Sequence, residues 1–449
     1  MSFTRALRAV GAAAAAGALL FAAAPTASAD QVRDAQWPLS AFSADKIWNV
    51  ATGKGVTVAV IDDGVDANHP DLKGSVLAGK DFMSGDDDAS PEGSDDHGTH
   101  MAGIIAAHGH GAAGAAGAKG LAPEAKILPI RDGNQGCFAR SIRYAVDQGA
   151  QVINISQEVS RCGDLRAEQE AISYALDKGV PIVAGSGNDG ASADHKFPSS
   201  YPGVLSVGAV TSSGKIWGKS NYGKTVLLAA PGVGIVNTAG GSTGYSKTNG
   251  TSDSTAFTSA ALALLQEKFP DLSAGQLVNR LVKTAGLPAS EKGASLPDEH
   301  YGYGFIQPLA ALTKDVPAGS KNGPLKIDEL NAAIGKTSSG DASAPSSSSS
   351  PDAASDSSDS GGMSTGLIVG IAAGVLVVLV IVVIVIVRSK KNNGGGPPPP
   401  PGGGWGGGGG QAPYPGQQQY PAQQPNPYQQ APAPGSYPTP PSQPPYGQQ

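Results

Sequence analysis

The chain has 449 residues, a formal net charge of −6 and only 15% charged residues. No basic stripe runs along it, which argues against nucleic-acid binding. Many of its 63 glycines and 35 prolines lie toward the C-terminus, so the folded core is smaller than the length alone suggests.

Residues 1–29 are predicted to be a cleaved signal peptide. Arg5 and Arg8 form a charged start, an Ala- and Leu-rich stretch follows at 9–24, and the ASA sequence at 27–29 supplies small residues at the cleavage positions. The mature chain is therefore expected to begin at Asp30. An uncleaved anchor is the alternative, which the short apolar run disfavours.

Residues 30–315 are predicted to form one folded α/β domain, because short apolar runs alternate with segments of helical spacing. The predicted strands are 56–61, 127–130, 152–156, 181–184 and 204–210, and the predicted helices are 97–107, 141–148, 167–178 and 254–268. This alternation indicates a mainly parallel sheet. Reacting groups gather at the carboxyl ends of the strands in such a sheet.

Cys137 and Cys162 are the two cysteines of the chain. Both lie in the region predicted to be exported, where oxidising conditions favour a disulfide. We expect one disulfide that ties down a loop, with two free thiols as the alternative.

The C-terminal part is predicted to be a stalk and a membrane anchor. Residues 316–365 form the stalk, since 338–362 are almost entirely Ser, Asp, Ala, Pro and Gly and cannot bury enough apolar surface to fold. Residues 366–387 carry no charge and are long enough to cross about 30 Å of hydrocarbon. A buried core helix is the alternative for this segment.

Arg388, Lys390 and Lys391 follow that segment directly, and positive residues stay on the cytoplasmic side of a membrane. The chain is therefore expected to be a single-pass type I protein of the cell membrane, with residues 388–449 inside. This Gly-, Pro-, Gln- and Tyr-rich tail predicts disorder with polyproline II character. It serves either as a partner-binding segment, including in a signalling receptor, or as a solvated tail.

Three short segments supply a carboxylate, an imidazole and a hydroxyl beside glycines: VIDDG at 60–64, HGTH at 97–100 and GTS at 250–252. A serine hydroxyl is a weak nucleophile until a base takes its proton and a carboxylate orients that base. We therefore predict Ser252 as the nucleophile, His97 as the base and Asp62 as the orienting carboxylate.

Each of these assignments has an alternative. Ser252 could simply cap a helix, and His100, one helical turn beyond His97, competes for the role of base. Asp63 is interpreted as a turn or surface carboxylate. Asn188, within GSGNDG at 185–190, is a candidate oxyanion donor together with the Ser252 backbone N–H, or else a turn residue.

These segments and several others make the chain resemble the subtilisin-like serine proteases over about residues 35–312. The supporting matches are HGTHMAG at 97–103, NHPDL at 68–72, FP at 197–198, SNYG at 220–223 and AAPG at 229–232. The order Asp, His, Ser is that of subtilisin. The resemblance implies a three-layer α/β sandwich with a mainly parallel sheet, the triad above, and Asn188 in the oxyanion hole. It assigns substrate binding to Ser156, Gln157, Glu158, Gly185, Ser186 and Gly187.

The order of segments looks like that of the mycosins, membrane-anchored proteases associated with type VII secretion. Between Asp30 and Asp62 there is too little room for a folded pro-domain, and mycosins likewise have a short N-terminal extension, here including AQW at 35–37. The resemblance implies a serine endopeptidase that acts on exported proteins or peptides beside secretion-system membrane proteins. A weakly active homologue that stabilises such an assembly is the alternative. No metal cage is evident, so we predict no cofactor and no metal.

Three positions depart from the family pattern. Ala256 stands where proline is usual, four residues after the nucleophile. Asp253 follows the nucleophile and either repels the oxyanion or stabilises the His97 cation. Glu158 ends SQE at 156–158, where Ser-Leu-Gly usually lines the specificity pocket, and it either narrows that pocket or favours a basic side chain there. Narrow specificity is the resulting hypothesis.

Overall fold

A computed structural model describes residues 27–133, 137–160, 162–194, 196–241 and 244–336 of the chain. Its helices are α1 (Ala27–Ala35), α2 (Trp37–Phe42), α3 (Ala44–Trp48), α4 (His97–Ala106), α5 (Ala139–Asp147), α6 (Leu165–Asp177), α7 (Thr251–Lys268), α8 (Ala274–Thr284), α9 (Pro308–Thr313) and α10 (Ile327–Ile334). Its strands are β1 (Thr57–Asp62), β2 (Lys80–Asp81), β3 (His108–His110), β4 (Ala116–Lys119), β5 (Lys126–Arg131), β6 (Val152–Ile155), β7 (Ile182–Gly185), β8 (Val204–Val210), β9 (Val226–Pro231), β10 (Val233–Thr238) and β11 (Tyr245–Asn249).

The central element is a seven-stranded sheet in the order β2-β5-β1-β6-β7-β8-β9, and every pairing in it is parallel. β6 and β8 are buried along their whole length, as near-continuous apolar strands covered on both faces should be. The prediction of an α/β domain with a mainly parallel sheet is confirmed. The pairs β3–β4 and β10–β11 are antiparallel.

The helices form two packed pairs. α4, which lies between β2 and β5 in the chain, packs against α7, and α5, which lies between β5 and β6, packs against α6. The contact between α4 and α7 is the one that matters for the site described below.

Helix α7 is the buried helix of this fold. It packs on β1 and on β6 to β9, and nearly all of its side chains are buried through Leu265. Its buried side chains are Ala, Leu and Phe together with small polar residues, so it lacks the one-sided apolar stripe of a surface helix. It begins at Thr251 rather than at the predicted residue 254, because extended Gly250 serves as its N-cap.

The predicted boundary of the stalk at residue 316 is wrong. Residues 327–334 form α10, whose Leu330 and Ile334 are buried, and the backbone N–H of Gly203 donates to Leu325 at 2.7 Å. The apolar residues at 327, 330 and 334 are spaced to line one helix face, a short pattern that the polar composition around it obscured. The fold therefore continues to residue 336.

The described residues fall within the first of two units, Met1–Ala344. Among those residues, no helix has the length and apolar composition that a membrane span requires. The predicted signal segment up to residue 26, the span at 366–387 and the tail at 388–449 lie outside the described residues.

Candidate active site

The site lies at the carboxyl edge of the sheet, where three neighbouring strands end. Asp62 is the last residue of β1, Ser156 follows β6 directly, and Asn188 lies three residues beyond β7. Because parallel strands end at a common edge, residues far apart in sequence meet here. The N-termini of α4 and α7 reach the same edge, as the contacts below establish.

Asp62 and His97 form a close pair. Asp62 is 1% exposed, and its Oδ1 lies 2.8 Å from His97 Nδ1. The His97 side chain remains 41% exposed, so the imidazole faces open solvent on its other side. The structure thus pairs His97 with Asp62 and places His100, the competing candidate, elsewhere.

The charges around His97 make it more basic than a free histidine. Burial lowers its pKa, but the charge and hydrogen bond of Asp62 and the charges of Asp63 and Asp253 outweigh this effect and raise the pKa to about 9. Asp62 Oδ2 is buried without a hydrogen-bond partner among the described residues. The carboxylate therefore has little solvation to weaken its pull on the imidazolium.

Asp63 is not the turn or surface carboxylate that the sequence suggested. Its oxygens accept hydrogen bonds from the backbone N–H groups of His97 at 3.2 Å and Gly98 at 2.7 Å. The first amides of a helix lack partners within the helix, and Asp63 supplies them. Burial and the Asp62 charge raise the pKa of Asp63 to about 6, against the lowering effect of these hydrogen bonds. Asp63 thus fixes the start of the helix that carries His97.

Ser252 lies in the first turn of α7. Gly250 is the N-cap of this helix, so Ser252 is not the simple capping residue considered above. The Ser252 hydroxyl donates to the backbone carbonyl of Ser156 at 3.1 Å, and the Ser156 hydroxyl donates to the Ser252 carbonyl at 3.2 Å. In the part of the chain that the structure describes, the hydroxyl thus bonds Ser156 and not His97.

The first turns of α4 and α7 lie against each other. His100, one turn beyond His97, has its Nε2 3.1 Å from Oδ1 of Asp253, the residue after Ser252. This contact connects the helix of the candidate base to the helix of the candidate nucleophile.

Asn188 is oriented by the residue before Ser252. Its Oδ1 accepts from the backbone N–H of Thr251 at 2.9 Å and from the Thr251 hydroxyl at 3.0 Å. Since the amide oxygen is engaged, the Nδ2 group is the arm that remains to donate. Asn188 is exposed at the edge of the site, and its bonds to Thr251 place it beside the first turn of α7.

The predicted substrate-binding residues come from the ends of β6 and β7. The Gly187 N–H donates to Thr251 Oγ1 at 3.2 Å, and the buried Ser186 donates to the Asn221 carbonyl at 3.0 Å. Asn221 Oδ1 accepts from two further amides of this loop, at Asp189 and Ala191. These hydrogen bonds thus fix the conformation of the segment at 185–191, which includes Asn188.

Glu158 does not carry a free charge. Its Oε1 lies 2.8 Å from Lys196 Nζ, which also contacts Asp189 Oδ2 at 2.6 Å. The Glu158 Oε2 group lies against Gly187, and a Cβ at that glycine would come within 2.6 Å of it. Gln157 carries a buried Oε1 without a partner among the described residues. The Glu158 side chain therefore lies between the two predicted substrate-binding segments, 156–158 and 185–187.

Cys137 and Cys162 form a disulfide with a Cα–Cα distance of 5.2 Å, as predicted. It joins the residues before α5 to the loop before α6. Cys137, Cys162 and Glu168 are also the three residues, in the described ranges, that come close enough to hold a metal ion. Because both sulfurs are in the disulfide, they are not available as thiolate ligands.

Comparison with known proteins assigns a family to this geometry. The sequence profile of the subtilase family of peptidases matches residues 53–304. A thermophilic serine proteinase from Bacillus sp. (strain AK1) is 42% identical over 228 residues, which is 49% of this chain and 55% of the proteinase. The chain thus spans about half the length of that relative.

The mycosins are similar over a larger part of the chain. Mycosin-1 of Mycolicibacterium smegmatis is 32% identical over 359 residues, covering 66% of this chain and 77% of mycosin-1. The crystal structure of MycP1 from the ESX-1 type VII secretion system matches with a TM-score of 0.55 at 30% identity, covering 64% of this chain and 88% of that chain.

Proposed function

This chain belongs to the subtilase family of serine proteases, and we propose that it is a membrane-anchored extracellular endopeptidase with Ser252 as its nucleophile. The observation that carries the assignment is the 2.8 Å contact between buried Asp62 and His97, on a helix whose first turn contacts that of Ser252. A carboxylate, an imidazole and a serine in this order along the chain form an activated nucleophile.

In the proposed reaction, Ser252 Oγ attacks the carbonyl carbon of a substrate peptide bond. His97 Nε2 takes the hydroxyl proton, while Nδ1–H donates to Asp62 and so favours the required tautomer. The hydroxyl must first leave the Ser156 carbonyl to which it donates. The imidazolium then protonates the leaving amine, and water releases the acyl group from Ser252 by the same two proton transfers.

Negative charge on the carbonyl oxygen is stabilised by two donors in this proposal. One is Asn188 Nδ2, whose side chain is oriented through Thr251, and the other is the Ser252 backbone N–H at the α7 N-terminus. Prearranged donors of this kind reduce the barrier because they need no reorganisation during the reaction.

We propose exported proteins as the substrate class. The similarity to a protease described as part of a type VII secretion system supports this context. The apolar segment at 366–387 with its positive flank supports a single membrane anchor that keeps the catalytic domain outside the cell.

The Glu158–Lys196 pair favours the narrowing of the specificity pocket over a preference for basic side chains. Lys196 already gives Glu158 a cationic partner at 2.8 Å. A substrate lysine or arginine would have to compete with it, whereas a small side chain leaves the pair intact. We therefore propose a preference for small residues at the position whose carbonyl is attacked.

A weakly active homologue that stabilises a membrane secretion assembly is the second candidate. The bond from the Ser252 hydroxyl to Ser156 rather than to His97 favours it. In that case the Ser252→Ala variant would support secretion fully, whereas a strain without the protein would not.

Hydrolysis of an unfolded protein by the purified full-length chain tests the proposal. We expect cleavage that Ser252→Ala abolishes and that Ser212→Ala, at an exposed turn, leaves unchanged. Equal cleavage by the parent and the Ser252→Ala variant would rule out Ser252 as the nucleophile.

A further inference from the structure

A second histidine–aspartate pair is buried behind the proposed base and nucleophile, and the reaction above does not use it. The side chains of His100 and Asp253 are 3% and 2% exposed, with 3.1 Å between Nε2 and Oδ1. His100 lies on α4 one turn beyond His97, and Asp253 follows Ser252 on α7. The pair therefore bridges the first turns of the two helices.

The remaining polar atoms around the pair are also hydrogen-bonded. His100 Nδ1 is 3.0 Å from the carbonyl oxygen of Thr238, which can only accept, so Nδ1 carries a proton. The Thr248 hydroxyl is 2.6 Å from Asp253 Oδ1 and 2.9 Å from His100 Nε2. Thr248, on β11, thus contacts both members of the pair and joins them in one buried hydrogen-bond network.

The surroundings suit a buried hydrogen-bonded pair. Besides the partners above, Ser246 Oγ lies 3.3 Å from His100 Nδ1. Buried polar groups are costly unless they are hydrogen-bonded, and loss of one partner leaves the other buried and unsatisfied.

We propose that His100 and Asp253 are positioning residues, whose buried hydrogen-bonded contact fixes α4 against α7 and so sets the separation between His97 and Ser252. This inference rests on the proposed proteolytic function. Neither residue is expected to touch the substrate or the reacting atoms.

Asp253 also acts on His97 through space. The charged groups that face His97 in the described part of the chain are Asp62 and Asp63 at the end of β1, and Asp253 on α7. Burial lowers the pKa of His97, and these three charges raise it. Neutralising Asp253 should therefore shift the titration of His97 to lower pH, an effect that a purely structural side chain would not have.

The rate at which a fluorophosphonate probe labels the purified full-length chain, measured against pH, tests the proposal. For Asp253→Asn we expect the maximal rate to fall between about tenfold and hundredfold, because small misplacement of a nucleophile is costly. The pH midpoint should also move down. Asp271→Asn, an exposed carboxylate beyond the other end of α7, should change neither value. An Asp253→Asn variant with the parent's rate and midpoint would overturn the proposal.

Thermal unfolding supplies a readout that does not depend on activity. His100→Leu and Asp253→Asn should each lower the unfolding midpoint, and the double variant should lose clearly less than the sum, because each single change leaves an altered partner in a buried site. If a single variant fails to fold while the double variant folds, the loss in the double variant is likewise less than the sum of the single losses. Additive losses would exclude a stabilising interaction between His100 and Asp253. If the parent is not labelled at Ser252, the proposed function fails, and this comparison still decides whether the pair exists.

Discussion

Individual charges determine the chemistry that the cleft can support. Three carboxylates, Asp62, Asp63 and Asp253, act on His97 and raise its pKa to about 9 against the effect of burial. Because its pKa is about 9, His97 is largely protonated at neutral pH. A general base works only in its neutral form, so only a small fraction of His97 can take a proton at that pH. The same charges stabilise the imidazolium that forms when Ser252 gives up its proton.

The pH dependence of acylation follows from this. Below about pH 9 the neutral fraction of His97 falls about tenfold per pH unit, so labelling of Ser252 should rise steeply from pH 6, reach half its maximum near pH 9 and level off above that pH. Presteady-state labelling in a pH series would measure the midpoint. A midpoint at or below 6.5, the ordinary histidine value, would contradict the proposed effect of the three carboxylates.

Asn188 should contribute to the transition state more than to substrate binding. Replacing it by alanine removes the Nδ2 donor, and we expect kcat to fall by about 10² to 10³ with little change in KM. Asn279→Ala, on the surface of α8, is the control. A rise in KM at constant kcat would show that Asn188 binds the substrate instead.

Some residue roles could be predicted from the sequence, and others depend on contacts that no local pattern records. Asp62, His97 and Ser252 lie in short motifs that contain glycine. From these motifs the sequence alone predicted a serine nucleophile, a histidine base and an orienting carboxylate. Asp63 caps α4 because of where two helix amides lie. Lys196 pairs with Glu158 across 38 residues, and His100 meets Asp253 across 153.

At the scale of elements, the ends of strands and the starts of helices build the site. β1, β6 and β7 deliver Asp62, Ser156 and Asn188 to one edge, and α4 and α7 begin there. Apolar runs predicted these five elements because most of their residues are buried. The short helix α10 and strand β2 escaped prediction, since their formation depends on packing against elements far away in sequence.

The ends of β6 and β7 also carry the predicted specificity. In Glu158→Ala, the side chain between segments 156–158 and 185–187 is removed, so peptides with leucine or phenylalanine at the cleaved position should gain at least about tenfold in kcat/KM relative to alanine peptides. Glu170→Ala, which alters a partly exposed residue of α6, should leave the ratio unchanged. A gain confined to lysine or arginine peptides would refute the narrowed pocket.

At the scale of the whole molecule, the structure describes a folded domain as far as residue 336, and only the sequence addresses the segments beyond it. Their composition predicts a stalk and an anchor, but the predicted stalk begins too early, because α10 lies within it and is flanked by polar sequence. The match to the subtilase family covers residues 53–304 and does not include the predicted signal segment or the predicted anchor. The membrane location of the protein therefore stays a proposal.

Membrane fractionation tests that location. The full-length chain should stay with the membrane fraction after an alkaline carbonate wash, since an apolar segment of this length inserts stably. A chain ending at residue 365 should be released into the soluble fraction and still react with the probe. Retention of the shortened chain in membranes would place the anchor elsewhere.

The most direct test of the central claim is the site of covalent modification by a fluorophosphonate, mapped by mass spectrometry. The account predicts one phosphonyl group on Ser252, lost in Ser252→Ala and formed far more slowly in Asp62→Asn, where His97 loses its orienting carboxylate. Modification of another serine, or labelling at the same rate in Asp62→Asn, would contradict an activated Ser252.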